Sequence, residues 1–422
     1  MTSFWRIFWL ELVALVRSRT VAMLTVFSVA WTLAFPYLLR GDGTAAGARE
    51  IDIHYSLGGV FALLVVSILA SSAGSIALER SSRRLALTLV RPVSPFAVAF
   101  GRVLAYAAAG AAVLAVACAV LCVRLGVDVR CSHVLEPVLP SPHDEAQLMY
   151  DAYMKDPETP EAVKKAGKAS VVRLLAQRAF DRYEAVPTNA SAGWRFDLAS
   201  LPAPPESLTV RLRFAGQLSM RQDVVGTFRL GTMTGSVSNI TQAVLAVPLG
   251  GGTATGAVER LAFDNRGRAT VMLRPRRDLA LLAPADTFGL NLFRAFLSLV
   301  AVLALVAACG VFLSSALGRP VALFVAFVAL VVGEMSPSVV EQYPDELGAS
   351  VGDRIGLAIA RAAAQVTRPV SSLAPLEALA KDECIESAKV LRLVAVDFAL
   401  LPVLLSLLAA FVLPRKSDDA GA

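Results

Sequence analysis

Six stretches of this chain are apolar over roughly the length needed to cross a bilayer, and no other feature restricts its fold as strongly. A helix rises about 1.5 Å per residue and a hydrocarbon core is about 30 Å thick, so about 20 apolar residues span it. The stretches lie near Thr20–Leu39, Ser56–Leu78, Val103–Val123, Thr287–Leu313, Val321–Met335 and Leu393–Leu413. The fifth is the shortest and reaches spanning length only with its flanks. With 56% hydrophobic and 18% charged residues, the chain is outside the usual soluble composition. No small-residue cleavage site follows the first stretch, which reads as an anchor rather than a removable signal. The expectation is an α-helical polytopic membrane protein of six transmembrane helices.

Lys and Arg in short loops mark the cytoplasmic side. Arg6, Arg17 and Arg19 precede the first stretch, and Arg80, Arg83, Arg84, Arg91 and Arg102 lie between the second and third. Arg319 stands between the fourth and fifth, and Arg415 and Lys416 follow the last. Six spans put all of these on one side, with both termini cytoplasmic. The net charge of +6 is then a topology signal. No basic run interleaved with aromatics points to nucleic acid.

The segment 124–286 changes texture and reads as an extracytoplasmic α+β domain, a helical lead-in followed by a β-sandwich. Asp144–Asp156 and Glu158–Ala185 are charged and Ala-rich, as helices are. Trp194, Phe196 and Leu198 alternate with polar residues, as do Leu208, Val210, Leu212 and Phe214. Val271 and Leu273 follow a turn at Asn265-Arg266-Gly267, and Trp194 and Phe196 are expected in the sandwich core. The remaining blocks are 1–19, an amphipathic helix; 20–123, spans one to three; 287–336, spans four and five; 337–392, an external loop with a helix near Arg354–Arg368; and 393–422, span six and a tail. In the first block Phe4, Phe8, Leu12 and Leu15 share a helical face beside Trp5 and Trp9, which favours a helix in the membrane interface over a plain extension of span one.

Between spans two and three runs ERSSRRLALTLVRPVSP. Pro92 disfavours helix at Arg91, so a helix here ends near Val90, with Leu85 and Leu89 on one face and Arg80, Arg83 and Arg84 nearby. On charge alone this is a topology loop. Its residue order goes further. Glu79, Arg83-Arg84, the leucines from Leu85 to Leu89, Arg91-Pro92-Val93-Ser94 and Gly101-Arg102 follow one another as in the cytoplasmic loop of the type-2 permease family of ATP-binding-cassette transporters, which this stretch resembles. Phe288, Asn291, Arg294, Ala295, Ser314 and Ser315 are similar to the re-entry span of members with a large external domain. The resemblance covers about half of the chain. It implies that the loop 79–102, with Glu79, Arg80, Arg83, Arg84, Leu85, Leu89, Arg91 and Pro92, docks on a separate ATPase subunit and opens Gly101-Arg102 into the next span. It also implies pairing with a second permease, identical or related, in a bacterial inner membrane.

ATP hydrolysis needs a phosphate-cradling GxxxxGK[ST] loop. Gly167-Lys168-Ala169-Ser170 lacks the leading Gly and falls in the external domain, so ATP is expected on the partner subunit and no cofactor or catalytic set on this chain. The reading is an export permease embedded in membrane lipid. The alternative is a membrane-anchored envelope sensor or scaffold whose external domain binds a partner without transport.

Charged residues within spans are costly and mark candidate pathways. Arg294, Glu334 and Asp397 qualify, all toward the outer side, with Arg294 expected to pair with Glu334 or Asp397. Placement at the interface would remove most of their cost. Cys118, Cys122 and Cys309 read as apolar packing residues, whereas Cys131 and Cys384 are both external and able to form a disulfide if geometry allows. Cys131, His133 and the run His143-Asp144-Glu145 lack the second spaced pair of a metal site.

Overall fold

The computed structural model describes residues 2–38, 45–82, 93–126, 130–156, 168–199, 201, 207–215, 223–240, 244–253, 256–342 and 374–418. They fall into two units. One comprises the described residues of Met1–Val129, Thr287–Glu341 and Leu357–Ala422, the other those of Arg130–Asp286 and Gln342–Gly356.

The first unit is helical. α1 (Thr2–Val16) and α2 (Arg19–Leu38) meet at a 61° bend. Ser18 makes the break: its Oγ donates to the Leu15 carbonyl (2.6 Å) and accepts from the Val21 N–H (3.3 Å), so it ends one helix and starts the next. α3 (Ala45–Ser81) is 37 residues long, about 55 Å, and overshoots the apolar stretch at its start. α4 (Pro95–Leu125) starts earlier than the sequence suggested. Ser94 caps it by accepting from the Ala97 N–H at 3.2 Å, and Pro95 suits the first turn because it has no N–H to leave orphaned. Gly101-Arg102 therefore does not open the helix but sits in its second turn. At the far end Gly126, at φ +81, closes α4 with its N–H on the Cys122 carbonyl.

α8 (Phe288–Ala316) crosses α3 at very close range. A Cβ on Gly310 would collide with the Ser72 hydroxyl, and the Ser314 Oγ accepts from the backbone N–H groups of Ile76 (3.0 Å) and Ala77 (2.9 Å). Small residues let membrane helices approach to this distance, where hydrogen bonding across the seam becomes possible. α9 (Arg319–Gln342) continues five residues beyond Pro337, where the external loop was expected to begin. After α10 (Ala374–Ala380), the last span starts at Ser387 with α11 (Ser387–Leu393), passes through a π-helical turn at Val394–Leu400 and continues as α12 (Leu401–Asp418). Pro402 lacks the N–H that would close a normal turn, and the Leu401 N–H reaches back five residues to Val396. The segment Arg354–Arg368 lies outside the described residues.

Among the described residues four helices are long and apolar enough to cross a membrane, within Arg49–Ser81, Pro95–Leu125, Phe288–Ala316 and Ser387–Leu413. The bent pair α1–α2 makes a fifth if taken as one span, and in α9 the apolar part, Arg319–Ala329, is shorter. The chain is a multi-pass integral membrane protein.

The second unit holds the strands β1 (Arg130–Leu135), β2 (Glu184–Val186), β3 (Ser191–Asp197), β4 (Leu208–Arg213), β5 (Asp223–Leu230), β6 (Met233–Ile240), β7 (Val244–Leu249), β8 (Val258–Asn265), β9 (Val271–Leu273) and β10 (Leu279–Thr287). They form sheets ordered β1-β10-β4-β7 and β3-β8-β5-β6, with a ribbon β2-β9. One core draws on both sheets. Leu208, Val210 and Leu212 of β4 meet Trp194 and Phe196 of β3 within it, and Phe263 stacks near Phe214 and Phe228 at 5.1 and 4.7 Å. The Asn265-Arg266-Gly267 turn is held by one side chain: Asn265 Nδ2 donates to the carbonyls of Val186, Pro187 and Ala269, and its Oδ1 accepts from Gly267.

Helices α5 (Pro142–Lys155) and α6 (Lys168–Phe180) pack together around Ala146, Val171, Val172 and Leu175. Arg276, on the short helix α7 (Pro275–Asp278), ties to Glu145 at 2.9 Å. The helix expected over Glu158–Ala185 is described only from Lys168 and ends at Phe180. Glu184 is instead in a strand, where it pairs with Leu273 and accepts from Trp194 Nε1 at 2.8 Å.

Candidate functional site

α1 lays one face on α4. Phe4 stacks on Phe100 (5.8 Å between centroids), and a Cβ at Gly101 would touch the Ile7 side chain at 3.2 Å. Trp5 and Trp9 on the other face are exposed. One turn further along the packed face, Glu11 meets Arg102. The Arg102 Nε is 2.9 Å from Glu11 and its Nη2 is 2.5 Å from Glu79, at the end of α3. The Arg102 side chain is only 4% exposed. A guanidinium buried this far needs both carboxylates, because an unpaired charge in low dielectric is costly. Beside it, Arg80 donates to the carbonyls of Ser315 (3.1 Å) and Leu317 (2.8 Å), neutralising the free carbonyl end of α8.

Four helices thus converge on the two residues, Glu79 and Arg80, that begin the basic strip. Glu79 and Arg80 are on α3, not in a loop. Arg83, Arg84, Leu85, Leu89, Arg91 and Pro92 lie outside the described residues.

A second set of polar contacts closes the opposite end of the bundle. Arg124, in the last turn of α4, pairs with Asp52 of α3 and donates to the Thr32 carbonyl of α2 at 2.5 Å. Ser56 donates to the other Asp52 oxygen at 3.0 Å. Nearby in sequence, Arg49 pairs with Asp382 at 3.0 Å. Burial holds the Asp382 carboxyl above its ordinary value, with Arg49 pulling the other way. Asn291, fully buried near the start of α8, donates from Nδ2 to the Glu383 carbonyl (2.7 Å) and accepts from the Ile385 N–H (2.8 Å). That clamp fixes the backbone on either side of Cys384. Cys131 and Cys384 are each in the disulfide-bonded state, so Cys131 presents no thiolate to a metal, while Cys118, Cys122 and Cys309 are free. Among the described residues no group of three metal-ligating side chains occurs.

Asp397 stands between the two ends, on the π-helical turn. It is 2% exposed and has no hydrogen-bond or ion-pair partner among the described residues. Of the two partners expected for Arg294, Asp397 is not one. Glu334 is on α9, and its side chain lies outside the described residues. Of the expected set, then, the structure joins Glu79 and Arg80 to one cluster and leaves Asp397 alone.

Glu11, Asp52 and Arg124 were missed from the sequence. Glu11 carried a signal, being the one acid on a face otherwise built of Phe4, Phe8 and Leu15. Asp52 and Arg124 fall at the edges of apolar stretches, where charge is ordinary. No family model matches the chain, and no curated protein and no solved structure matches it.

Proposed function

We propose that the chain is the membrane-spanning permease subunit of an ATP-binding-cassette exporter, powered by a separate ATPase subunit that binds the ATP. The observation that carries this reading is the Glu11–Arg102–Glu79 cluster at the root of residues 83–92. In the resembling family this segment receives the push of the ATPase. Here the residues on both sides of it are joined to each other by Glu79 and Arg102, to α1 by Glu11 and to α8 by Arg80. A force on the segment would reach four helices without passing through a flexible joint.

The positive-inside distribution supports placing this end, and both termini, in the cytoplasm of a bacterial inner membrane. The disulfide-bonded state of Cys131 and Cys384 supports an oxidising compartment for the β-rich unit and the segment before the last span. A second permease, identical or related, would complete the transporter.

The test reverses Arg83 and Arg84 to Glu in chain co-expressed with its ATPase. Normal membrane insertion with loss of ATPase pull-down and of stimulated hydrolysis is the expected result. Unchanged association and export would overturn the docking assignment.

A further inference from the structure

A narrow cavity of about 170 Å³ opens between α2, α3 and α4 at the α1–α2 bend. Its walls follow each helix for about 10 Å: from Ser18 at the bend to Leu24 on α2, Leu64 to Ser71 on α3, and Tyr106 to Val113 on α4. On all three the hydroxyls thin out in the same direction, with Ser67 midway on α3 and Leu15 beside Ser18. The end nearest Glu79 and Arg102 carries the hydroxyls of Ser18, Thr20, Ser71 and Tyr106, and the other end carries Leu24, Leu64 and Val113.

Two cations, themselves outside the lining, are chain neighbours of its polar end. Arg17 and Arg19 alternate with Ser18 and Thr20, are exposed, and have no side-chain partner among the described residues. A slot whose lining passes from hydroxyls to hydrocarbon, with two exposed arginines flanking Ser18 at the hydroxyl end, repeats the order of groups along a phospholipid. A free anion would have no use for the apolar end, and a neutral lipid none for the arginines. We propose that this slot binds one anionic phospholipid from the surrounding leaflet, its phosphate against Arg17 and Arg19 and one acyl chain along Ile68, Gly110 and Val113. Such a lipid would brace the α1–α2 bend against the two longest helices of the bundle, and the assignment stands independently of what the protein transports.

Native mass spectrometry of the full chain in detergent, offered equal phosphatidylglycerol and phosphatidylcholine, tests this. The wild type is expected to retain one phosphatidylglycerol. Arg17→Gln and Arg19→Gln are each expected to reduce the preference for it about fivefold while lipid is still bound. Ser67→Phe, which fills the slot, should abolish retention of both lipids. Leu24→Phe provides the same test from another wall should Ser67→Phe fail to fold, as judged by circular dichroism and gel filtration. Equal retention of the two lipids by the wild type, or unchanged retention in a folded slot-filling variant, would overturn the proposal. So would displacement by inorganic phosphate alone, which would indicate a simple anion site.

Discussion

Asn291 holds Glu383 in place: its Nδ2 donates to the Glu383 carbonyl at 2.7 Å, and its Oδ1 takes the Ile385 N–H at 2.8 Å. One side chain on α8 thereby satisfies both a donor and an acceptor of a buried turn that has no regular secondary structure. Asn291→Leu removes both bonds and is expected to cost roughly 2–4 kcal/mol. Asn291→Asp keeps the acceptor for Ile385 and should lose less. Amide exchange at 383–385 should accelerate in the order wild type, Asp, Leu. Equal protection in all three would show that Asn291 does not hold this turn.

Arg102 is the hub of the cluster at the other end. Arg102→Met strands Glu11 and Glu79 beside an apolar side chain and is expected to destabilise the chain by about 3–5 kcal/mol. Adding Glu11→Gln and Glu79→Gln should recover a large part of that loss, because the remaining groups no longer carry charge. Thermal unfolding of the single and triple variants in detergent measures the recovery.

Asp397 gives the opposite sign. With no partner to lose, Asp397→Asn and Asp397→Leu are expected to unfold at the same temperature as the wild type or higher, by up to about 1–3 kcal/mol. A loss of export in a variant of undiminished stability would then mark Asp397 as a functional residue rather than a structural one.

Asp382 sets a pH dependence. Its folded carboxyl is raised above the ordinary value of 3.8, chiefly by burial, so the folded state holds that proton more tightly than the unfolded chain does. Its stabilising contribution is complete below 3.8 and is lost as pH rises through the raised folded value. Relative to Asp382→Asn, the wild type is therefore expected to gain stability on acidification across the carboxylate range. Asn tolerates the left-handed backbone at this position, φ +56, so the variant isolates the charge. Unfolding temperatures of the two chains against pH test the sign.

What the sequence disclosed and what it hid follow one physical division. Apolar length and strand alternation depend on local residue order, so the long helices and the strands around Trp194 and Leu208 were legible. So was the turn at Asn265, whose side chain bonds to Gly267 and Ala269 close by, although its bonds to Val186 and Pro187 were not. Contacts across long separations were not. Glu11 with Arg102 and Arg49 with Asp382 each require knowing which helices lie side by side. Gly101 was misread for the same reason: it resembled the start of a span, whereas its small size serves the approach of α1. The π-helical turn had one local cause, Pro402, but a proline in a span more often kinks a helix than widens it.

The charged residues of α4 carry a consequence for where this protein can work. Arg102 and Arg124 are 22 positions apart on one continuous helix, about 33 Å, and each is tied to carboxylates on neighbouring helices. The bundle is therefore a gauge of fixed length. A bilayer whose hydrocarbon matches that spacing leaves both ionic ends at the headgroups, while a markedly thicker one would draw one of them into lipid or force the bilayer to thin around it.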